Sequence, residues 1–305
     1  MKAQALPLVI VGSIGLDTIE TPFARRTDLL GGSASYACAT AALFTRPGMV
    51  GVVGTDFPEE CEQLYRRLGI DLEGLQKKEG ATFRWSGVYQ ANMDDRETLS
   101  TELNVFGSFS PELPASYRQA PFLFLANIGP DLQGHVLDQA EAAQFVMMDT
   151  MNLWIDTQRE RLIEVIGRVD LLTLNASEAQ ALSGEHFLPR AAEQLLALGP
   201  RYVLIKKGEH GSMLFSNDGI FIMPAFPLGQ VTDPTGAGDS FAGGFIGALA
   251  AGGTVDEGAL RRAMVEGSVA ASFAVEAFSL DRLQSLTRAE LAARTEQYLA
   301  MMRIP

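Results

Sequence analysis

Two cysteines and three histidines among 305 residues leave little material for disulfide or metal chemistry. Cys38 and Cys61 form no Cys-x-x-Cys, and His135, His186 and His210 show no metal-ligand spacing. Cys38 lies in an alanine-rich helical pattern and reads as a small buried apolar residue. No apolar run reaches the roughly 18 residues that would cross a bilayer. The N-terminus lacks a charged region followed by a signal-type core and cleavage site, so a cytoplasmic location is expected. Positive charge is also scarce: 24 Lys and Arg against 37 Asp and Glu leave a net −13. Nucleic acid or an anionic membrane would need a basic surface to displace counterions, so neither is an expected partner, whereas the charge of a nucleotide can be met locally. Two glycine-based phosphate signatures are missing as well. The chain has no Gly-Lys pair for a Walker A loop, and Phe241 stands where a dinucleotide fingerprint needs its third glycine.

What is present is ordinary globular composition, 47% hydrophobic and 20% charged. The length suits one large α/β domain, with a small appendage rather than two equal halves, and residues 1–305 are read as a single domain. Short apolar runs at 6–11, 50–53, 122–125, 145–149, 171–174 and 202–205 read as strands buried on both faces. Amphipathic stretches at 59–68, 157–165, 240–251, 257–277 and 289–302 read as helices. The expected fold is therefore α/β, a mainly parallel sheet flanked by helices on both faces. Residues 82–109 break this rhythm. Phe83, Trp85, Gly87 and Tyr89 alternate with Arg84, Ser86, Val88 and Gln90, the period of a half-buried antiparallel strand. A turn at 92–95 and a second run at 103–106 would complete a hairpin. With the irregular stretch 16–32 it is expected to form a small β-sheet lid, whose exposed edge could pair with a second copy as a homodimer.

The most informative stretch is Val231-Thr232-Asp233-Pro234-Thr235-Gly236-Ala237-Gly238-Asp239-Ser240-Phe241, which places a run of small residues and an acid at the start of a helical apolar pattern. Uncovered N–H groups in such a turn, with the positive end of a helix dipole, attract an anion. A carboxylate would repel phosphate, so Asp239 suggests proton chemistry beside it; the plainer alternative is a tight turn with a helix cap. Elsewhere, Gly12-Ser13-Ile14-Gly15-Leu16-Asp17 puts an acid just past the first strand, where ligands of open parallel sheets collect. Gly31-Gly32-Ser33-Ala34-Ser35-Tyr36 reads as a hinge and cap before a helix. Asn175-Ala176-Ser177-Glu178 has the spacing of a capping box. Lys206-Lys207-Gly208-Glu209-His210-Gly211 reads as a hairpin turn between 203–205 and 213–215.

These motifs, in this order, resemble those of the ribokinase/PfkB carbohydrate kinase family, in its sugar kinase branch. The resemblance implies a ribokinase-like fold and ATP-dependent transfer of the γ-phosphate to a hydroxyl of a sugar or sugar-like substrate. It implies that Gly236, Ala237 and Gly238 form the anion hole and that Asp239 is the base. It places Asp17, Gly31, Gly32, Ser33 and Tyr36 with the acceptor, although many family members carry an asparagine near Tyr36. Arg84 on the lid and Asn127, just past the strand 122–125, are assigned to the same site. Asn175, Lys207, Gly208, Gly211, Thr235, Ala271 and Ser272 are assigned to the nucleotide, together with Gly236 and Gly238. Glu178 and Asn175 would hold Mg²⁺ through water, since magnesium prefers oxygen ligands and keeps much of its shell. Asp233 and Thr235 fit part of a monovalent cation loop, but Glu276-Ala277-Phe278-Ser279 replaces the glycine-bearing loop that would complete it, which leaves potassium dependence open. Asp149-Thr150-Met151-Asn152-Leu153-Trp154 matches a family Asp-x-Asn-x-Arg pattern imperfectly and lacks the arginine. A nucleoside kinase is the alternative reading, with Phe83, Trp85 or Tyr36 as stacking surfaces. From another class, a non-catalytic sugar- or nucleotide-binding relative would keep the fold without the base.

Overall fold

The protein is described here from a computed structural model that covers residues 6–93 and 96–303. Within them, thirteen strands are β1 (Leu8–Val11), β2 (Gly15–Glu20), β3 (Arg25–Gly31), β4 (Pro47–Gly54), β5 (Asp71–Lys78), β6 (Phe83–Tyr89), β7 (Arg96–Glu102), β8 (Phe122–Leu125), β9 (Phe145–Asp149), β10 (Leu171–Asn175), β11 (Tyr202–Lys206), β12 (Ser212–Ser216) and β13 (Gly219–Met223). The helices are α1 (Ser33–Ala41), α2 (Glu59–Arg67), α3 (Pro130–Gln139), α4 (Asn152–Thr157), α5 (Arg159–Ile166), α6 (Ala176–Ser183), α7 (Leu188–Leu196), α8 (Ala237–Gly252), α9 (Glu257–Ala274) and α10 (Arg288–Met301).

Nine strands form the large sheet in the order β13-β12-β11-β10-β9-β8-β1-β4-β5. It is parallel from β5 to β11 and closes with the antiparallel pairs β11–β12 and β12–β13. Successive side chains of a strand point to opposite faces, and the apolar runs therefore feed two cores. Leu8, Ile10, Met49, Phe122, Phe124, Phe145 and Met147 pack under α1, α8 and α9. Their neighbours Val9, Val11, Val50, Leu123, Leu125, Val146 and Met148 pack under α5, α6 and α7. This is why the central strands lack polar alternation. Helices α1, α8 and α9 sit unusually close, because a Cβ on Gly243 would enter the Ala37 backbone and one on Gly244 would lie 2.9 Å from the Ala270 Cβ.

The smaller sheet runs β3-β2-β6-β7. Its four strands come from the two stretches expected to form a lid, but the partner of β6 differs from expectation. Residues 103–106 do not form a strand; Asn104–Ser108 is a turn of 3-10 helix, and the hairpin partner is Arg96–Glu102. Every residue of β7 is exposed, so it has no apolar alternation for sequence reading to find. Of the turn expected at 92–95, Asp94 and Asp95 lie outside the described residues. Ile19 of β2, Tyr89 of β6 and Phe278 form a satellite core that fastens this sheet to the main body.

Candidate active site

Parallel strands deliver their C-terminal residues to one edge of the sheet, and there β9, β10 and β11 end on Asp149, Asn175 and Lys206. Lys206 pairs in register with Asn175, and Asp149 with Thr173. The Lys206 ammonium donates to Asp149 Oδ2 at 2.7 Å, with side-chain exposures of only 15% and 5%. Asp149 is itself fixed: its Oδ1 accepts from the Thr150 N–H at 2.9 Å, and its carbonyl accepts from Gln133 Nε2 at 2.9 Å. Burial works against the charge on Lys206, but Asp149 and Glu178 beside it hold the ammonium above the ordinary lysine range.

Helix α8 starts against this pair. Gly236 takes the left-handed conformation, φ 73°, as its cap residue, and a Cβ there would enter the Tyr36 ring. No side chain of the cap residue closes the helix; the Ala237 N–H is taken by the Pro234 carbonyl at 3.1 Å, and the Gly238 N–H is left for a ligand. A Cβ on Gly238 would stand 3.3 Å from Lys206 Nζ, which places the ammonium alongside the Gly-Ala-Gly turn. Asp239 follows in the first turn, half-buried. Burial, then the negative Asp149, push its carboxyl up to about 7, against the pull of Lys206 and Arg96.

On the acceptor side, Asp17 is 4% exposed and its Oδ1 has no partner among the described residues. Its carboxyl is also pushed up to about 7, by burial first and then by Asp233 and Asp239, so the three acids share one electrostatic neighbourhood. Gly31 is the residue that admits it: any Cβ there would collide with Asp17 Oδ2. Gly32, at φ 93°, opens α1. Ser33 is spent on structure, accepting from the Ser13 N–H at 3.1 Å and donating to the Asn127 carbonyl at 3.3 Å. The Asn127 side chain is held by Trp154, which donates to its Oδ1 at 2.9 Å, and by the Met151 sulfur. Tyr36 is buried, its hydroxyl has no partner among the described residues, and it faces Asp233, Asp17, Tyr89 and Asp239. Arg84 is taken by Asp28 and by Asp56 at 3.2 Å.

The remaining expected residues divide. Asn175 and Glu178 do form the capping box: Asn175 Oδ1 accepts from the Glu178 N–H at 2.9 Å, and Glu178 Oε2 accepts from the Asn175 N–H at 2.7 Å. Burial and then Asp149 push the Glu178 carboxyl up to about 7. Lys207, Gly208 and Gly211 make the turn between β11 and β12, closed by the Lys207 N–H on the Gly211 carbonyl at 2.8 Å. Thr235 is tied by its N–H to Asp233 Oδ1 at 2.9 Å and by its hydroxyl to Tyr89 at 3.1 Å, a link from the small sheet to the turn. Ser272 accepts from Arg294 at 3.0 Å, and Ala271 packs beside it against the core of α8 and α9. Among the described residues no three His, Cys, Asp or Glu side chains cluster as a metal cage.

Sequence reasoning gave Lys206 and Asp149 no role, and it did not single out Arg96 or Tyr89. The available signal for the first two was a polar residue closing an otherwise apolar strand. Arg96 lies over the Trp85 ring, 5.2 Å from its centroid, and its charge reaches Asp17, Asp239 and Glu178.

Comparison with known proteins agrees with this architecture. Residues 17–282 match the model of the pfkB family carbohydrate kinases. The cytidine kinase of Thermococcus kodakarensis is 30% identical over 260 residues, covering 83% of this chain and 91% of that protein. The crystal structure of the Methanocaldococcus jannaschii nucleoside kinase, 21% identical, superposes with a TM-score of 0.77 over 97% of this chain and 100% of that one. The Arabidopsis thaliana ribokinase complexed with ribose and ATP, 22% identical, gives 0.76 over 96% and 99%. Among the described residues no helix is long and apolar enough to cross a membrane.

Proposed function

We propose that this chain, which belongs to the pfkB family of carbohydrate kinases, phosphorylates a sugar hydroxyl of a nucleoside-type acceptor with Asp239 as the base. That it is an ATP-using phosphotransferase with a sugar or nucleoside hydroxyl as acceptor follows from the family. The observation that carries the proposed roles is the arrangement at the start of α8: an uncapped helix, a left-handed Gly236, and Asp239 in the first turn beside the Lys206 ammonium.

The acceptor hydroxyl would be oriented by the unpartnered Oδ1 of Asp17 and would lose its proton to Asp239 as it attacks the γ-phosphorus. A base whose carboxyl titrates near 7 is well matched to work at neutral pH. The N–H groups at the start of α8 would take the charge that develops on the transferring phosphoryl group, which is where phosphoryl transfer gains most of its rate. The donor set suits a magnesium ion held largely by phosphate oxygens and water, since the capping box leaves Oε1 of Glu178 and no carboxylate cage exists among the described residues. Asn175 and Glu178 would hold that ion through its water, and when bound it supplies charge neutralisation at the phosphates. The small sheet is proposed as a lid, with the Tyr89–Thr235 bond as its latch on the turn.

Two observations favour a nucleoside. Phe83 packs over Gly15, two residues from Asp17, and makes a tilted pair with Phe106 at 5.5 Å, so an aromatic surface adjoins the acceptor acid. Arg84 is already committed to Asp28 and Asp56, which suits a neutral acceptor better than a phosphosugar. The cytidine kinase relative agrees in substrate class. The test is ADP release with ATP and Mg²⁺ across nucleosides, free pentoses and hexoses, and sugar phosphates, for the native chain and for Phe83→Leu. A nucleoside turned over at least tenfold more efficiently than any free sugar, and weakened by Phe83→Leu, is the expected result. A free sugar or sugar phosphate preferred by both proteins would overturn the acceptor assignment.

A further inference from the structure

The Lys206–Asp149 pair lies inside the site, yet the roles assigned so far do not use it. We propose that Lys206 is a catalytic residue that donates to a non-bridging oxygen of the phosphoryl group in transit, and that Asp149 is the positioning residue that holds its ammonium beside the Gly236–Gly238 turn. The proposal rests on the kinase reading above and adds a residue to it.

The geometry separates this pair from an ordinary buried ion pair. Burying both members costs desolvation, and an apolar pair of similar size is often at least as stable, so stability alone gives little reason for it. An ammonium carries three protons. Among the described residues Asp149 is its one hydrogen-bond partner, at 2.7 Å. The Gly238 backbone is its neighbour on the other side, at the 3.3 Å given above for a Cβ. A glycine at 238 is what leaves that approach open. The neighbouring Lys207 follows the end of β11, and its backbone is bound into the turn with Gly211. Side-chain alternation along β11 puts Lys206 on the same face as Leu204, which packs in the core with α1, α8 and α9.

This also accounts for a missing residue. Asp149-Thr150-Met151-Asn152-Leu153-Trp154 provides an acid at the end of β9 but no arginine after it. The acid instead recruits a cation from β11, across the intervening β10. In the transfer step the acceptor oxygen forms its bond to the γ-phosphorus and its proton passes to Asp239. The bond from that phosphorus to the bridging oxygen breaks, and its electron pair leaves with ADP. Lys206 stays protonated throughout and strengthens its hydrogen bond as charge builds on the oxygen it faces.

The test compares Lys206→Met, Lys206→Arg, Lys207→Met and the neutral double variant Lys206→Met/Asp149→Asn. Two readouts are used: steady-state kinetics, and calorimetric binding of ADP and of β,γ-methylene-ATP. Loss of one donor to a developing negative oxygen costs about 10²–10³-fold in kcat. Lys206→Met should show that loss, bind the ATP analogue at least fivefold more weakly and bind ADP within twofold of the native protein. Lys206→Arg should recover at least tenfold of the lost kcat, and Lys207→Met should stay within threefold of native. Because Lys206→Met leaves Asp149 buried and unpaired, the double variant guards against misfolding; it should fold and remain as inactive as the single one. The assignment is overturned if either the single Lys206→Met variant or the double variant keeps kcat within fivefold of native, or if ADP binding falls as much as analogue binding. Failure of this inference is separable from failure of the kinase reading, which shows as no turnover by the native chain on any acceptor.

Discussion

Replacing Asp239 by asparagine separates two properties that the carboxylate combines: it is a base, and it is a partly buried anion among other acids. As the base, its loss should lower kcat by about 10²–10⁴-fold, equivalent to about 2.7–5.5 kcal/mol of barrier. As an anion it opposes folding. Its carboxyl is raised from 3.8 to about 7 in the folded protein, chiefly by burial and then by Asp149. Between those two values the folded chain holds a proton that the unfolded chain has released, so stability falls as pH rises through that window and the loss is complete above about 7. A shift of three units corresponds to a ceiling of about 4 kcal/mol; because the side chain is half-buried, about 1–2 kcal/mol is the working expectation. The asparagine variant avoids this loss. At pH 8 it should melt about 2–3 °C above the native protein, and the gain should shrink as pH is lowered towards 5.5. In the native enzyme kcat/KM should rise with pH through about 7, and more steeply than the residual activity of the variant, in which Asp17 still titrates without Asp239 beside it. Coupled ADP release and scanning calorimetry from pH 5.5 to 8.5 measure both. A variant that keeps more than a tenth of native kcat, or that melts below the native protein at pH 8, refutes the reasoning.

Three further substitutions probe the surroundings. Gly236→Ala must hold an L-residue at φ 73° and put a Cβ into the Tyr36 ring, so urea denaturation should show a loss of at least about 1–2 kcal/mol, with kcat more than a hundredfold lower; an active, equally stable variant would contradict the structure. Tyr36→Phe removes a buried hydroxyl with no partner among the described residues, and should leave Tm unchanged or higher while raising the acceptor KM about 3–10-fold; lower stability with unchanged KM would show that the hydroxyl serves the fold. Arg84→Ala breaks pairs to Asp28 and Asp56 at the surface, and calorimetry should find stability within about 1 kcal/mol and acceptor KM within about twofold; a large rise in KM would return Arg84 to the acceptor site.

Sequence reading did best where burial is two-sided. Phe122–Leu125 and Phe145–Asp149 are continuous apolar runs, and their observed bounds are those expected. It did worst at strands whose side chains meet water. β5 carries Asp71, Glu73, Lys77 and Lys78, β3 opens on Arg25-Arg26-Thr27-Asp28, and β7 is wholly exposed; a polar edge strand leaves no hydrophobic period. The same holds for the site. The glycine turn and Asp239 are contiguous and so are legible together. Asp149 and Lys206 are 57 residues apart and meet only because β9 and β11 flank β10. The expectation named Lys207 for the nucleotide, whereas the lysine beside the Gly-Ala-Gly turn is Lys206. Tyr89 was legible only as one member of an alternating strand, since its bond to Thr235 spans 146 residues.

The distribution of charge within the site explains how a chain of net −13 can serve a polyanionic substrate. Asp17 and Asp233 gather where the acceptor is proposed to bind, and a neutral polyol is the ligand such a surface tolerates, since it donates hydroxyl protons to carboxylates. The N–H groups of α8 and the Lys206 ammonium occupy the opposite side, and Arg96 extends over both from the small sheet. Asp239, in the first turn of α8, is electrostatically coupled to both groups. On the proposed roles, that polarity would orient the ligands: phosphate would be repelled from the acid pair and drawn to the turn, with the acceptor hydroxyl between a carboxylate and an electrophile. Because the attraction comes from backbone groups and a single lysine, it adds almost nothing to the overall charge. An acidic composition is therefore compatible with phosphoryl chemistry inside the site.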